Sequence, residues 1–229
     1  DYCIPEVADH TIALLMAALR KIAFYHVQTK QGQYDLAAGP TARRLGGLQL
    51  GLVGLGRIAQ AVVPRARALG LEVVASTPSG DDHQTGCPML GLEELLRSSD
   101  VVSLHCPLSA QTQHLLNPLR LEWMPEHAVL INTSRGGLID HHAAWQALQQ
   151  DQLGGLAMDV FDPEPPDLSE PLFADPRVIA TPHAGFLSQE SVEELRRRTA
   201  QQIADVLNGR LPEHVVNPEV CGHLEPGSR

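Results

Sequence analysis

Basic residues are scarce in this sequence. Seventeen Lys and Arg stand against 27 Asp and Glu, a net charge of -10, and no stretch gathers the cations into a groove-sized patch. A polyanionic nucleic acid is therefore not expected as a direct ligand. The densest cluster, Arg196 to Arg198, follows Glu193 and Glu194 in a helical pattern and reads as a solvated helix face. Cysteine is scarce as well. Cys3, Cys87, Cys106 and Cys221 are scattered with no CxxC pair, which excludes a disulfide-stapled secreted domain and a cysteine-rich zinc site; no metal is expected, and a reducing, cytoplasmic setting fits best. Long apolar runs are missing too: residues 11–19 are too few to span a bilayer, and the acidic Glu6 and Asp9 precede them where a signal peptide would carry basic residues. Neither signal nor membrane anchor is expected there. The chain opens on Asp1 and its first methionine is Met16, so its translation start is expected further upstream.

What remains is an ordinary globular composition, 43% hydrophobic and 19% charged over 229 residues, enough chain to bury a sizeable core. From Glu6 to Thr29 apolar residues recur at helical spacing with no Gly or Pro between them, which predicts one long amphipathic helix. Residues 48–53 read as a buried strand leading into Gly54-Leu55-Gly56-Arg57-Ile58-Ala59 and a helix to about Gly70, with Pro64 expected to kink it near Gln60. Strands at 71–75, 101–104, 128–131, 155–160 and 178–180 then alternate with helical patterns at 92–97, 140–150 and 189–207. Short, nearly continuous apolar strands separated by helices are the pattern of a parallel sheet covered on both faces. The expected fold is doubly wound α/β, a Rossmann sheet.

Such a sheet gives the glycine turn its meaning. Gly54 permits the tight turn, Gly56 lets backbone approach a pyrophosphate, and Ala59 allows close packing of helix on strand, while the amides of Arg57 and Ile58 open a helix that favours anions. The second strand should end in an acidic residue for the adenosine ribose of NAD, but Thr77 stands there. Repulsion of a 2′-phosphate is thus weakened. No Lys or Arg lies between Arg67 and Arg97 to attract one, and Asp81 and Asp82 lie close by, so NAD is favoured slightly over NADP.

Three further segments end strands where ligands bind in open α/β folds: Asn132-Thr133-Ser134-Arg135-Gly136-Gly137, Asp159-Val160-Phe161-Asp162-Pro163-Glu164-Pro165, and Thr181-Pro182-His183-Ala184-Gly185. Taken singly each has an ordinary reading: Arg135 as a surface ion pair, Glu164 as a solvated carboxylate, His183 as a turn histidine. Together they supply arginine, carboxylate and histidine behind a dinucleotide turn. Other histidines, His105, His141 and His142 among them, read as structural or surface, with Asp140 as a helix N-cap.

This set, with LGLVGLGRIAQAV, SDVVSLHCPLSAQTQHLL, NTSRGGLID, DVFDPEP and TPHAG in order, resembles the D-isomer-specific 2-hydroxyacid dehydrogenase family. The opening Asp1-Tyr2-Cys3 and Glu6-Val7-Ala8-Asp9-His10 look like its C-terminal-binding-protein-like branch. The resemblance implies NAD(P)-dependent, reversible reduction of a 2-keto acid to a D-2-hydroxy acid. It makes Arg135 the substrate clamp, His183 the acid/base and Glu164 its orienting partner. It places Asp159 at the nicotinamide amide, and Cys106, Pro107, Thr112, Thr133 and Ser134 along the cofactor. Chemistry fits those roles: a planar guanidinium engages carboxylate and carbonyl oxygens together, and histidine titrates near neutrality. In the resemblance a second, smaller substrate domain is built mostly from sequence ahead of this chain. Residues 5–182 are then the dinucleotide-binding domain and residues 183–229 a segment returning to the mostly absent substrate domain. A dinucleotide-sensing, non-catalytic or corepressor-like module is the competing reading, and a homodimer through the long helix at 6–29 is expected.

Overall fold

Six short apolar runs become six parallel strands in a computed structural model that describes residues 2–220; Asp1 and residues 221–229, Cys221 among them, lie outside the described residues. The strands are β1 (Gln49–Val53), β2 (Glu72–Ser76), β3 (Val101–Leu104), β4 (Val129–Asn132), β5 (Gly155–Met158) and β6 (Val178–Ala180), in the order β2-β1-β3-β4-β5-β6. β3, β4 and β5 are buried at every position. That is why their sequences read as continuous apolar runs: both faces are covered, so alternation of polar and apolar residues disappears. The strands still alternate in which core they feed. Leu50, Leu52, Val101, Val129, Ile131 and Ala157 pack on one side; Val53, Val102, Leu104, Leu130, Leu156 and Met158 pack on the other.

The first of these cores is closed by α1 (Ile4–Leu19) and α3 (Arg57–Ala68), which contribute Leu14, Leu15, Val62 and Val63. The second is closed by α4 (Leu92–Ser98) and α6 (His141–Gln149) through Leu95, Leu96, Ala144 and Leu148. The long helix expected at 6–29 is instead two: α1 ends at Leu19, and α2 spans Ile22–Lys30. Between them Lys21 takes a left-handed conformation, φ 57°. The periodicity misled because it ignores burial: α1 buries seven residues and α2 none, so no core contact holds the second segment to the axis of the first. α3 runs without interruption through Pro64, which sits on its exposed side. A single-turn helix, α5 (Pro118–Leu121), capped by Asn117, was not evident from the sequence.

Residues 4–186 form one compact unit; a second comprises the segments up to Cys3 and from Leu187 onward. His183 therefore lies within the larger unit. The smaller unit carries α7 (Gln189–Leu207), opened by a capping box between Ser188 and Ser191. On its exposed face Arg197 and Arg198 pair with Glu194, as a solvated helix face requires.

The chain leaves β1 for β2 on one side and crosses back to β3 on the other. Loops after β1 and β3 consequently diverge at their carboxyl ends and leave a crevice, the usual ligand position in such sheets.

Candidate active site

Gly54 sits in that crevice with φ +95°, and a Cβ on it would fall 2.8 Å from the backbone of His105 and Cys106. Only glycine fits, both for conformation and for space. Its amide donates to Ser76 O at 2.9 Å, tying the turn to the end of β2. α3 opens with the bond from Gln60 N to Gly56 O, so the amides ahead of Gln60 point into the crevice; Gln60 Nε2 also donates to Leu55 O. A Cβ on Gly56 would meet nothing within 4 Å, and Ala59 is fully buried. The three positions thus divide as a dinucleotide turn demands: closure, open approach and tight packing.

A cleft of about 330 Å³ continues from this turn past Ser76, Thr77, Pro78, Cys106 and Thr112. Thr77 follows β2 directly, and its Oγ1 accepts the Gly80 amide at 3.1 Å. Asp81 and Asp82 are engaged by amides of their own loop, those of His83, Gln84 and Gly86. Thr112 Oγ1 accepts from Ser109 N and donates to Pro107 O, both at 2.7 Å, holding the loop after β3 in shape. Burial pushes the Cys106 thiol up, which keeps it protonated. His105, behind Gly54, lies 2.9 Å through Nε2 from Ser103 Oγ, and burial lowers its pKa from 6.5 to about 4, so it is neutral. These residues fit an NAD-type cofactor: a cradle that excludes a Cβ at its base leaves room at its mouth.

The second half of the site lies at the ends of β4, β5 and β6. After β4, Asn132 braces the turn from both ends, its Oδ1 accepting Ser134 N and its Nδ2 donating to Arg135 O. Gly136 packs so tightly on the Phe161 backbone that no side chain fits there. Arg135 is left exposed, with Nη1 on Ser134 O at 2.6 Å and no carboxylate partner among the described residues. A surface ion pair is therefore the wrong reading of it.

Nor is Glu164 a loose solvated carboxylate. Its Oε1 accepts the Phe161 amide at 2.7 Å and its Oε2 lies 2.8 Å from His183 Nδ1. Partial burial works against its charge, but these hydrogen bonds prevail and hold the carboxyl below its usual value. His183 has φ 53°, a conformation that L residues avoid. Asp159 enforces it: His183 N donates to Asp159 O, and the next two amides, Ala184 and Gly185, donate to the Asp159 carboxylate at 2.8 Å. That side chain is only 3% exposed and also accepts from Thr181 Oγ1. Burial opposes its ionisation and four hydrogen bonds, from His10, Thr181, Gly185 and Ala184, more than offset this, so its pKa is lowered. Asp159 thus faces inward and anchors the histidine turn.

Sequence reasoning missed His10 and Thr11 of α1. His10 Nε2 lies 3.0 Å from Thr181 Oγ1, and Thr11 Oγ1 lies 2.9 Å from Thr133 Oγ1. No local signal announces contacts across 171 and 122 residues. Asp140 caps α6 through the Ala143 amide, as expected, and burial lowers the pKa of His141 behind it. A pocket of about 560 Å³ adjoins Glu164 and His183, walled by Phe161, Pro165, Pro166 and Leu168. No cluster of three or more His, Cys, Asp or Glu able to hold a metal occurs among the described residues.

The model of the D-isomer-specific 2-hydroxyacid dehydrogenase NAD-binding domain matches residues 12–185. This chain belongs to the D-isomer-specific 2-hydroxyacid dehydrogenase family. It is 35% identical to a D-3-phosphoglycerate dehydrogenase of Methanocaldococcus jannaschii, over 96% of this chain and 44% of that protein. With a glyoxylate reductase of Korarchaeum cryptofilum it shares 34% identity over 96% of this chain and 68% of the relative. The solved TT0316 protein from Thermus thermophilus superposes with a TM-score of 0.88 at 40% identity, covering 94% of this chain and 69% of that one. The chain spans less than half the length of the first of these relatives. The matches place the chain in the family without distinguishing a branch of it. The matched stretch, an NAD-binding domain, contains the glycine turn and all three loops, and the doubly wound fold is the one expected.

Proposed function

We propose that the protein carrying this chain reduces a 2-keto acid reversibly to a D-2-hydroxy acid with NAD(H), NADP(H) being admitted as well. The observation that carries the proposal is the bonded pair of His183 and Glu164 at the same edge of the sheet as Arg135, an arginine that has no carboxylate partner among the described residues. Bound nicotinamide supplies or accepts the hydride. Arg135 binds the substrate carboxylate and, through the same planar guanidinium, orients the neighbouring carbonyl. A carboxylate only accepts, so the proton on His183 Nδ1 faces Glu164 Oε2, leaving Nε2 to give a proton to the nascent alkoxide or to take one from the alcohol. Glu164 is itself fixed by the Phe161 amide, which sets the imidazole plane. Asp159 contributes through the turn it anchors, its carboxylate being taken up by Thr181 and the Ala184 and Gly185 amides. Cys106, Pro107, Thr112, Thr133 and Ser134 shape the cofactor side of the crevice. A dinucleotide sensor without catalysis leaves the histidine pair and Arg135 without a use.

The homodimer belongs to this proposal. α2 and the arm after it expose Ile22, Val27, Tyr34 and Leu36, apolar surface that a second copy would cover. A reducing cytoplasm fits the scattered cysteines, and no described helix is long and apolar enough to cross a membrane. The decisive experiment is a keto-acid panel with NADH on the complete gene product. His183→Ala should lower kcat by about 10²- to 10⁴-fold while NADH still quenches or enhances fluorescence at the parental concentration. Full turnover by that variant would sink the assignment.

A further inference from the structure

Arg135 and His183 ride on loops from β4 and β6, strands separated by β5, hence about 10 Å apart. Their spacing must suit one small substrate, yet neither loop touches the other through a described hydrogen bond. We infer that α1 sets this spacing, through Thr11 on the arginine loop and His10 on the histidine loop, making both of them positioning residues.

The donors can be assigned from connectivity. Thr11 Oγ1 gives its single proton to Val7 O at 2.8 Å, so in the 2.9 Å contact with Thr133 the donor is Thr133. Thr181 Oγ1 gives its proton to Asp159 Oδ1, so in the 3.0 Å contact with His10 the donor is His10 Nε2. Two chains result. One runs from Thr133, in the loop of Arg135, into the first half of α1. The other runs from His10, whose Nε2 lies 3.0 Å from Thr181 Oγ1 and 3.4 Å from Asp159 Oδ1, to Asp159, the group that holds the Ala184 and Gly185 amides behind His183. Adjacent helix residues point about 100° apart, so one helix turn lying over β4 and β5 reaches both loops. Thr11 is fully buried, Thr133 9% exposed and Asp159 2% exposed. In such surroundings an unmade hydrogen bond between Thr11 and Thr133 is costly, while the contact of His10 with Thr181 is partly buried.

The inference rests on the proposed reduction for its kinetic arm and is independent of it for its structural arm. In the complete gene product, Thr11→Val should raise KM for the keto acid about tenfold, the equivalent of one lost buried hydrogen bond, with kcat nearly unchanged. His10→Phe should instead lower kcat about tenfold with KM nearly unchanged. Both should bind NADH as the parent does. Thr11→Ser and His10→Gln, which keep the polar groups, should recover most of each loss. Amide hydrogen exchange needs no turnover: His10→Phe should quicken exchange at Ala184 and Gly185 but not at Leu130 in the core, and Thr11→Val should quicken it at Ser134. Should Thr11→Val fail to fold, Thr133→Val removes the same bond from the loop side and is read by amide exchange at Ser134 alone, since Thr133 also belongs to the cofactor side. Unchanged exchange at those amides overturns the inference whatever the activity. So do equal effects of both variants on KM and kcat, or conservative variants that fail to recover. An inactive parent with the expected exchange pattern would refute the reduction and leave the brace standing.

Discussion

Lowering the pH should weaken this protein, and His105 should carry a share of the loss that a single substitution isolates. Its backbone lies against the glycine turn, its imidazole meets Ser103 Oγ, and burial lowers its pKa from 6.5 to about 4. Between those values the unfolded chain binds a proton that the folded chain refuses, so stability rises with pH across this window and is complete above about pH 6.5. From pH 7.5 down to 5.0 the contribution lost is about 2 kcal/mol, approaching ~3 kcal/mol below pH 4. Urea unfolding at the two pH values measures it, and His105→Gln isolates it, since glutamine can still meet Ser103 Oγ but does not titrate. The variant should lose about 2 kcal/mol less than the parent over the same interval. If parent and variant lose the same amount, His105 is not held neutral by burial and the reasoning fails. NADH binding should weaken in step, because the backbone of His105 forms the floor under Gly54.

Gly54→Ala would place a Cβ against the His105 and Cys106 backbone at a φ of +95°; a stability loss of at least ~2 kcal/mol is expected, with NADH binding abolished, and parental binding by calorimetry would contradict the turn's assigned role. Thr77→Asp should install the missing ribose carboxylate, tightening NADH and weakening NADPH so that their affinity ratio shifts by about tenfold or more. An unchanged ratio in fluorescence titration would move the ribose pocket away from Thr77.

The strands were readable because a sheet covered on both faces turns each strand into a short apolar run, and Gly54, Gly56 and Ala59 were readable because a dinucleotide turn needs small residues at fixed offsets. The break at Lys21 was not. Helical periodicity continued past it, and the left-handed Lys21 together with the absence of any burial in α2 separates the two helices. Arg135, Glu164 and His183 were legible as residue types on loops, but each had an ordinary reading that the sequence left standing. Two distances set aside the ordinary readings of Glu164 and His183, 2.8 Å between them and 2.7 Å from Glu164 to the Phe161 amide; for Arg135 it is the lack of a carboxylate partner among the described residues.

Asp159 marks the boundary most clearly. Its position after β5 followed from the sequence; its inward carboxylate, saturated by the turn that carries His183, followed from where β6 lies. Backbone preference and hydrophobic period act over a few residues, so they determined the elements, the glycine turn and the loops that bear chemistry. Strand order, the bonds of His10 with Thr181 and of Thr11 with Thr133, and the lack of a carboxylate partner for Arg135 among the described residues depend on how segments far apart in the chain come together. Crossovers of the chain create those contacts, and only the folded sheet brings them within bonding distance.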